Sequence, residues 1–253
     1  MADIARKPRI AITMGDPNGI GPEIVVKAVS RSEVLEACQP VIVGDPWVLE
    51  LASGGVPLDE RVEVAGIPNM PREEHLWGTV SGIAGRAAAE YIREAVRMAL
   101  AGEVDAIATA PINKAALHAG NIRFPGHTEM IAALTGATEY AMMLAGPKLK
   151  VVHVSTHVSL KEAIARVQKR RIVKVARMAH DMLLRLGIDR PRIGVAGLNP
   201  HAGEDGLFGL EEIQEIQPAV QEARSDGMDV SGPYPPDTLF LKAAQGEFDA
   251  VVA

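Results

Sequence analysis

The chain has one cysteine, few aromatic residues and no long apolar run, and each shortage excludes a class of protein. A single cysteine, Cys38, among 253 residues rules out an internal disulfide framework and fits a reducing compartment. Aromatic residues make up only 4% of the sequence, which leaves few side chains to stack on nucleic-acid bases. The net charge of −6 is spread without long blocks of one sign, so nucleic acid is not expected as a partner.

Signals for a membrane or for secretion are missing as well. No apolar stretch approaches the roughly 20 residues that span a bilayer. The first residues, MADIARKPRI, lack the apolar core of a signal peptide. Hydrophobic residues amount to 47% and charged residues to 23%, which is ordinary for a globular protein. We therefore expect a cytoplasmic protein with no membrane partner, built as one large or two smaller domains.

Short β-branched runs alternate with longer helical patterns along the chain. The runs are almost continuously apolar, as in strands covered on both faces of a parallel sheet. The predicted strands are residues 9–14, 40–45, 104–110, 150–156, 192–198 and 248–253. The predicted helices are residues 82–101, 159–186 and 210–223. This alternation predicts an α/β fold with a mostly parallel sheet, and no composition shift marks a domain boundary.

The stretch GDPNGIGPEI, residues 15–24, follows the first predicted strand and resembles two phosphate-binding motifs in part. A dinucleotide fingerprint needs a third small residue for close helix packing, and Pro22 follows Gly21 instead. A nucleotide-triphosphate loop would end in Gly-Lys-Ser/Thr, which is also missing. The stretch therefore predicts a structural corner, with Pro22 near the first position of a helix.

Polar clusters follow three of the predicted strands directly. They are TAPINK (109–114), the STH that ends at His157, and NPHAGEDG (199–206). In open α/β sheets, ligands bind beyond the carboxyl ends of the strands, which makes these loops candidates for a site. Lys114 is either a charge partner for a substrate carboxylate or phosphate, a general acid/base, or a solvated lysine that opens a helix.

Two histidines end strands at one predicted edge of the sheet. Neutral imidazoles of His157 and His201 suit a divalent metal such as Zn²⁺, Mn²⁺ or Co²⁺, although 44 intervening residues are not a metal motif. Glu204 and Asp205 can join such a site, but acidic residues are also frequent in glycine-rich turns. The sequence alone names no third ligand.

Two further candidates lie at predicted helix starts. In FPGHTE, His127, Thr128 and the exposed backbone N–H groups of the first turn are suited to binding an anion. Asp237 in GPYPPDTLF is either the N-cap of a helix over residues 238–244 or a catalytic or metal-associated carboxylate.

Taken together, the motifs resemble one family over essentially the whole chain. ITMGDPNGIGPEI, TAPINK, FPGHTE, STH, GLNPHAGEDGLFG and GPYPPDTLF occur in the order found in the 4-hydroxythreonine-4-phosphate dehydrogenases of pyridoxal phosphate biosynthesis. The related isocitrate and isopropylmalate dehydrogenases carry a similar GDGIGPE. The resemblance implies one continuous family region over residues 1–253 with two interleaved α/β domains. It also implies a homodimer with its active site at the subunit interface.

The resemblance assigns roles to particular residues. His157 and His201 match two of three histidines that hold a divalent metal (Zn, Mn, Co or Mg), and His127 and Thr128 match substrate contacts. Asp237 matches an acidic residue near the metal, which makes it a catalytic candidate beside Lys114. The family's third metal histidine and its NAD-binding residues come after a strand like residues 248–253. The resemblance therefore predicts a C-terminally truncated member, in which no NAD-binding residue is assigned.

The implied reaction is an NAD-dependent oxidation of 4-phosphohydroxy-L-threonine to a 2-amino-3-oxo acid that decarboxylates. Members of the family also act on 4-phospho-D-threonate, on 4-phospho-D-erythronate or on cis-dihydrodiol carboxylates, and these substrates are alternatives. A hypothesis from another class is a non-catalytic binder that holds a phosphorylated acid at FPGHTE without oxidising it.

Overall fold

Two sheets, one in each part of the chain, organise the structure. The computed structural model describes residues 6–253, and the chain divides into two units, Met1–Thr138 and Glu139–Ala253. Each unit has its own α/β sheet and its own hydrophobic core, so the predicted fold class is confirmed. The units are consecutive within this chain, and the interleaving of the domains stays a prediction.

The sheet of the first unit has four parallel strands. They are β1 (Arg9–Thr13), β2 (Gln39–Gly44), β3 (Glu63–Gly66) and β4 (Ala106–Thr109), in the order β3-β2-β1-β4. Thr13 at the end of β1 pairs with Val43 of β2 on one side and with Thr109 of β4 on the other. Because the strands are parallel and end in register, the loops that follow them leave at the same edge.

Helices cover this sheet. They are α1 (Gly21–Val29), α2 (Ser32–Ala37), α3 (Pro46–Ala52), α4 (Gly82–Leu100), α5 (Lys114–Ala119) and α6 (His127–Thr135), with a 3₁₀ turn at Arg72–Glu74. The predicted helix over residues 82–101 is confirmed as α4. It begins where Ser81 Oγ accepts the N–H groups of Ile83 and Ala84, and it buries Tyr91 and Ala95 against the sheet.

The sheet of the second unit has five strands. They are β5 (Met143–Ala145), β6 (Lys150–Val152), β7 (Arg192–Ala196), β8 (Asp229–Tyr234) and β9 (Ala250–Val252), in the order β5-β6-β9-β7-β8. Only β5, at one edge, is antiparallel to its neighbour. The helices are α7 (Leu160–Arg166), α8 (Lys169–Arg185), α9 (Gln217–Ser225) and α10 (Pro236–Ala244), with a 3₁₀ segment at Pro200–Gly206 and a π-helical turn at Glu212–Ile216.

Two predicted helices differ from the structure. The helix expected over residues 159–186 is interrupted at Val167, whose ψ of 85° takes the chain out of the helix before α8 begins. Helix α8 packs Ile172 and Leu183 into the core, whereas α7 has no buried residue. The helix expected over residues 210–223 starts as a π-helical turn, because Pro218 has no N–H to continue an α-helical ladder.

Three strands were missed, and five of the six predicted strands are shorter than expected. Strands β3 and β5 are short and partly exposed at sheet edges, so they lack a continuous apolar run. Strand β8 reads DVSGPY, and its glycine and proline are typical of a loop or an edge strand. The run at residues 150–156 forms a strand only over Lys150–Val152, although His153 and Val154 still donate backbone N–H groups to Met142 and Ala253. Within residues 6–253, no helix is long and apolar enough to cross a membrane.

Candidate functional site

The glycine-rich corner after β1 is a tight turn, as the sequence predicted. Gly15 has a φ of 76°, and an added Cβ there would lie 2.3 Å from the carbonyl oxygen of Pro111. At Gly21 an added Cβ would lie 2.2 Å from the carbonyl oxygen of Met14. Pro22 stands in the first turn of α1. The glycines therefore allow backbone contacts that no side chain would permit, and the corner packs directly on the loop after β4.

Two polar side chains of this corner, Asp16 and Asn18, are buried, and the glycine and proline pattern of the sequence pointed to neither. Asp16 is 4% exposed, and one of its carboxylate oxygens accepts the backbone N–H of Asn18 at 2.9 Å. Asn18 is itself buried, and its side-chain amide donates to Thr79 Oγ1 at 3.1 Å. Burial raises the pKa of Asp16 above its ordinary value, although the hydrogen bond from Asn18 opposes this. A carboxyl in such a setting is a candidate for substrate binding or proton transfer.

The TAPINK loop carries Lys114 beside the corner. The backbone N–H of Asp16 donates to the Pro111 carbonyl at 3.0 Å, which holds the two loops together. Lys114 is the first residue of α5, and Asn113 caps that helix by accepting the N–H of Ala116 at 3.0 Å. The Lys114 side chain is exposed and makes no hydrogen bond or ion pair to any of residues 6–253. Its amine is thus available to an anionic ligand.

His127 and Thr128 form the first turn of α6, so the predicted helix start at FPGHTE is confirmed. The N–H groups of a first helical turn have no partner within the helix and favour an anion. Within the described residues, Nε2 of His127 is buried and has no hydrogen-bond partner. Burial lowers the pKa of His127, and an interaction with the Ala110 backbone offsets this only in part. A buried nitrogen without a partner is a candidate contact for a ligand atom, an ion or a water.

In the second unit, three predicted site residues follow the carboxyl ends of parallel strands. His157 follows β6, His201 follows β7 and Asp237 follows β8, so all three belong to one edge of the sheet. Strand β9 lies between β6 and β7. An apolar cavity of about 150 Å³ opens at this edge. Its lining includes Val154, Val195, Pro236 and Val252.

His201 lies in a turn with an unusual backbone. His201, Ala202, Glu204 and Asp205 all have left-handed φ values between 42° and 53°, and Gly203 continues the turn at 81°. Left-handed backbone costs an L-residue about 1–2 kcal/mol, so the turn needs support from its surroundings. His157 also has a left-handed φ, at 57°. Strained backbone of this kind is typical of functional sites.

Glu212 supplies that support, and nothing in the sequence pattern singled it out. It is 1% exposed, and its Oε1 accepts the backbone N–H groups of Leu198 and Asn199 at 2.7 Å each. Its Oε2 accepts the Asn199 side-chain amide at 2.8 Å. Burial alone would raise the pKa of Glu212, but the hydrogen bonds from Asn199 and Leu198 outweigh it and lower the pKa. Glu212 therefore anchors the loop as a charged, fully buried carboxylate.

The interpretation of Asp237 as an N-cap is wrong. Helix α10 runs over Pro236–Ala244, and Pro235 occupies the cap position without a side-chain hydrogen bond. Asp237 lies in the first turn instead, because the prolines before it already have the φ that opens a helix. Its carboxylate is exposed and favourably placed at the positive end of the helix. The sharper alternative, a catalytic or metal-associated carboxylate, stays open.

The donor set at this edge fits part of a metal site. His157 and His201 are exposed imidazoles in the loops that follow β6 and β7, the strands on either side of β9, and imidazole nitrogen suits Zn²⁺, Mn²⁺ and Co²⁺. Among residues 6–253, no three His, Cys, Asp or Glu side chains are arranged to hold a metal ion. The two histidines therefore fit as two ligands of a larger set.

Comparison with known proteins gives the family. The family model described as "Pyridoxal phosphate biosynthetic protein PdxA" matches residues 36–253. The D-threonate 4-phosphate dehydrogenase of Cupriavidus necator is 46% identical over 262 residues, which cover 97% of this chain and 79% of that protein. The 4-hydroxythreonine-4-phosphate dehydrogenase of Desulforapulum autotrophicum is 43% identical over 263 residues, covering 97% of this chain and 77% of that protein.

Solved structures agree with the sequence relatives. A 4-hydroxythreonine-4-phosphate dehydrogenase from Burkholderia phymatum matches with a TM-score of 0.85 at 44% identity, covering 98% of this chain and 80% of that chain. Relatives that are dehydrogenases at this level of identity make the protein an α/β oxidoreductase. It belongs to the PdxA family.

Proposed function

We propose that the protein oxidises the secondary alcohol of a phosphorylated four-carbon hydroxy acid with NAD and a divalent metal, and that the oxo acid then loses CO₂. The first candidate substrate is 4-phosphohydroxy-L-threonine, which gives a 2-amino-3-oxo acid. When bound, NAD accepts the hydride and the metal acidifies the alcohol. Membership of the PdxA family, among relatives that are dehydrogenases, supports this reaction class.

The observation that carries the proposal is the buried Nε2 of His127 at the start of α6, which has no hydrogen-bond partner among residues 6–253. We infer that this nitrogen, the Thr128 hydroxyl and the N–H groups of the first turn bind an oxygen-rich, anionic substrate. The exposed amine of Lys114 neutralises a second anionic group or moves a proton as a general acid/base. The first unit thus supplies the substrate contacts.

The second unit supplies the metal ligands in this proposal. His157 and His201 hold the divalent metal as two of its ligands, and the carboxylate of Asp237 lies near it. All three follow parallel strands at one edge of the second sheet, which supports a common site. Imidazole ligands must be neutral to bind metal, so metal affinity falls as these histidines are protonated.

A second candidate substrate is D-threonate 4-phosphate. Relatives named for that substrate are 42–46% identical to this chain, and those named for 4-hydroxythreonine 4-phosphate are 42–44% identical. The two acids share the phosphate, the carboxylate and the reacting alcohol, and they differ in carrying an amine or a hydroxyl at C2. A pocket that pairs with one of these groups discriminates strongly against the other, because an unmatched buried polar group is costly.

The test is NADH formation by the protein expressed from its full reading frame. Both phosphorylated acids and a cis-dihydrodiol carboxylate are supplied with NAD, in the presence of Mn²⁺, Co²⁺, Zn²⁺ or Mg²⁺ and after chelation. We expect metal-dependent NADH formation with at least one phosphorylated acid. Binding of these acids without any NADH formation would instead favour the non-catalytic binder and contradict the proposal.

We further propose that the protein is a homodimer with its active site at the subunit interface, as the family resemblance implies. Sedimentation equilibrium of the same protein measures this directly. A dimer whose specific activity falls on dilution into the monomer range supports a shared site. Full activity of the monomer would contradict it.

A further inference from the structure

Most of the carboxylate hydrogen bonds to the loop that carries His201 come from one residue, Glu212. Oε1 of Glu212 accepts two backbone N–H groups, those of Leu198 and Asn199, and Oε2 accepts the Asn199 side chain. The neighbouring Glu211 makes a single hydrogen bond of 2.7 Å from the same Asn199 amide. Glu212 is almost fully buried, whereas Glu211 is only partly so. Glu212 therefore accepts three hydrogen bonds from the loop, whereas Glu211 accepts one.

The left-handed turn closes directly over Glu212. An added Cβ at Gly203 would lie 2.8 Å from Oε2, so the turn contacts the carboxylate without room for a side chain. The carbonyl of Asn199, whose N–H is held by Glu212, accepts the N–H of Ala202 at 3.1 Å across His201. Glu212 therefore contacts the chain on both sides of His201, at Asn199 before it and at Gly203 after it.

We propose that Glu212 is a positioning residue for the metal site: its carboxylate holds the left-handed turn, and the resulting position of His201 sets the affinity for metal. This inference rests on the proposed role of His201 as a metal ligand. Partners that orient a ligating histidine typically change metal affinity by about 10–100-fold when they are removed. Glu212 does not contact the imidazole of His201 in this proposal. It positions His201 by binding the backbone N–H groups of Leu198 and Asn199.

The test compares Glu212→Gln with the matched change Glu211→Gln in the protein expressed from its full reading frame. Glutamine keeps the shape of Glu212 but removes its charge and turns one acceptor into a donor that faces donors. Co²⁺ is titrated alone and followed by calorimetry and by its visible absorption spectrum. We expect at least about a tenfold weaker affinity and an altered spectrum for Glu212→Gln. Glu211→Gln keeps the wild-type spectrum and an affinity within about threefold.

Double-variant analysis separates positioning from a general loss of structure. Once His201→Ala has removed the ligand, adding Glu212→Gln should weaken Co²⁺ binding no further, because both changes act through one group. An unchanged affinity in Glu212→Gln, or a full additional loss in the double variant, would overturn the inference. If His201→Ala itself leaves Co²⁺ binding intact, the proposed role of His201 fails instead.

A second variant, Asn199→Ala, tests the proposal even if Glu212→Gln does not fold. Asn199→Ala removes the side-chain donor to Oε2 but leaves the buried carboxylate and its two backbone partners in place. We expect a loss of Co²⁺ affinity smaller than that of Glu212→Gln, with the folded circular dichroism spectrum retained. Wild-type affinity in a folded Asn199→Ala, together with a Glu212→Gln variant that does not fold, would contradict the proposal.

Discussion

The α-carbon of Gly15 lies so close to the carbonyl oxygen of Pro111 that an added Cβ would come within 2.3 Å of that oxygen. The two residues follow neighbouring strands, β1 and β4, and the N–H of Asp16 donates to the same oxygen. This contact joins the glycine-rich corner to the loop of Lys114. It explains why the corner requires glycine although it is not a nucleotide-binding motif.

Gly15→Ala should destabilise the first unit strongly. The change places a methyl group against backbone and also forces a left-handed φ on alanine, and we expect a loss of at least about 2–3 kcal/mol in the free energy of unfolding. Trp47 and Trp77 both lie in the first unit, so tryptophan fluorescence during urea unfolding reports on it.

The matched control is Gly54→Ala. Gly54 also has a left-handed φ, 65°, but an added Cβ there would have no atom of residues 6–253 within 4 Å. Gly54→Ala therefore costs only the energy of a left-handed φ for alanine, and the expected loss in the free energy of unfolding is about 1 kcal/mol. Equal losses for Gly15→Ala and Gly54→Ala would show that the contact with Pro111 is unimportant.

Asp16→Asn should make the protein more stable relative to wild type as the pH rises. Burial raises the pKa of Asp16 in the folded state above its ordinary value of 3.8, so the folded state binds the proton more tightly than the unfolded state. The carboxylate therefore reduces stability as the pH rises from 3.8 through the folded-state pKa. Asparagine keeps the acceptor for Asn18 without the charge. Urea unfolding between pH 3.5 and 7 measures the difference, and a pH-independent difference would contradict the burial effect.

Glu212→Gln should show the opposite pH dependence. The hydrogen bonds to Glu212 lower its folded-state pKa below its ordinary value of 4.5, so its contribution to stability is complete above pH 4.5 and is lost as the pH falls through the folded-state pKa. The variant should therefore lose most stability, relative to wild type, near neutral pH. Circular dichroism during urea unfolding follows this second-unit change. A deficit that grows toward acid pH would contradict the assignment.

His127→Phe should separate stability from binding. Phenylalanine keeps an aromatic ring but removes Nε2, which has no partner within residues 6–253, together with the hydrogen bond to the Ala110 backbone, so we expect a loss of only about 1 kcal/mol in stability at pH 7. Affinity for the phosphorylated acid should fall at least about tenfold, because a ligand contact is lost. Calorimetry with the substrate measures this, and His118→Phe, a change on the exposed face of α5, is the control. Wild-type affinity in His127→Phe would exclude the contact.

The same variant carries a pH prediction. Burial lowers the folded-state pKa of His127 below its ordinary value of 6.5, so the neutral ring stabilises the fold above pH 6.5 and this contribution is lost as the pH falls through the folded-state pKa. Wild type should therefore lose more stability than His127→Phe between pH 7 and pH 5. Tryptophan fluorescence during urea unfolding checks this, and equal losses would contradict it.

Periodicity and motif order predicted much of the fold from the sequence. Helix α4 covers almost the predicted residues, because its apolar residues recur at three- or four-residue spacing. The sequence does not predict the interruption between α7 and α8 at Val167, because neither Val167 nor Gln168 is a helix-breaking residue. Edge strands such as β5 were missed because half-exposed strands of three residues carry no pattern.

The sequence indicates the exposed candidate residues of the second unit, but it does not indicate the buried carboxylates Asp16 and Glu212. His157 and His201 were visible because polar residues that follow apolar strands belong at a sheet edge. Asp16 and Glu212 were not, because their importance depends on packing between segments that are separate in sequence, such as the corner and Pro111. Sequence patterns report local preference, whereas the burial of a carboxylate is a property of the folded chain.

The most direct test of the central claim is metal-dependent NADH formation in the protein expressed from its full reading frame, compared among His157→Ala, His201→Ala and the control His118→Ala. We predict that wild type and His118→Ala reduce NAD with a phosphorylated hydroxy acid only when metal is present. His157→Ala and His201→Ala should lose more than about a hundredfold in rate and bind less metal. Retained rate and metal stoichiometry in both histidine variants would contradict the account.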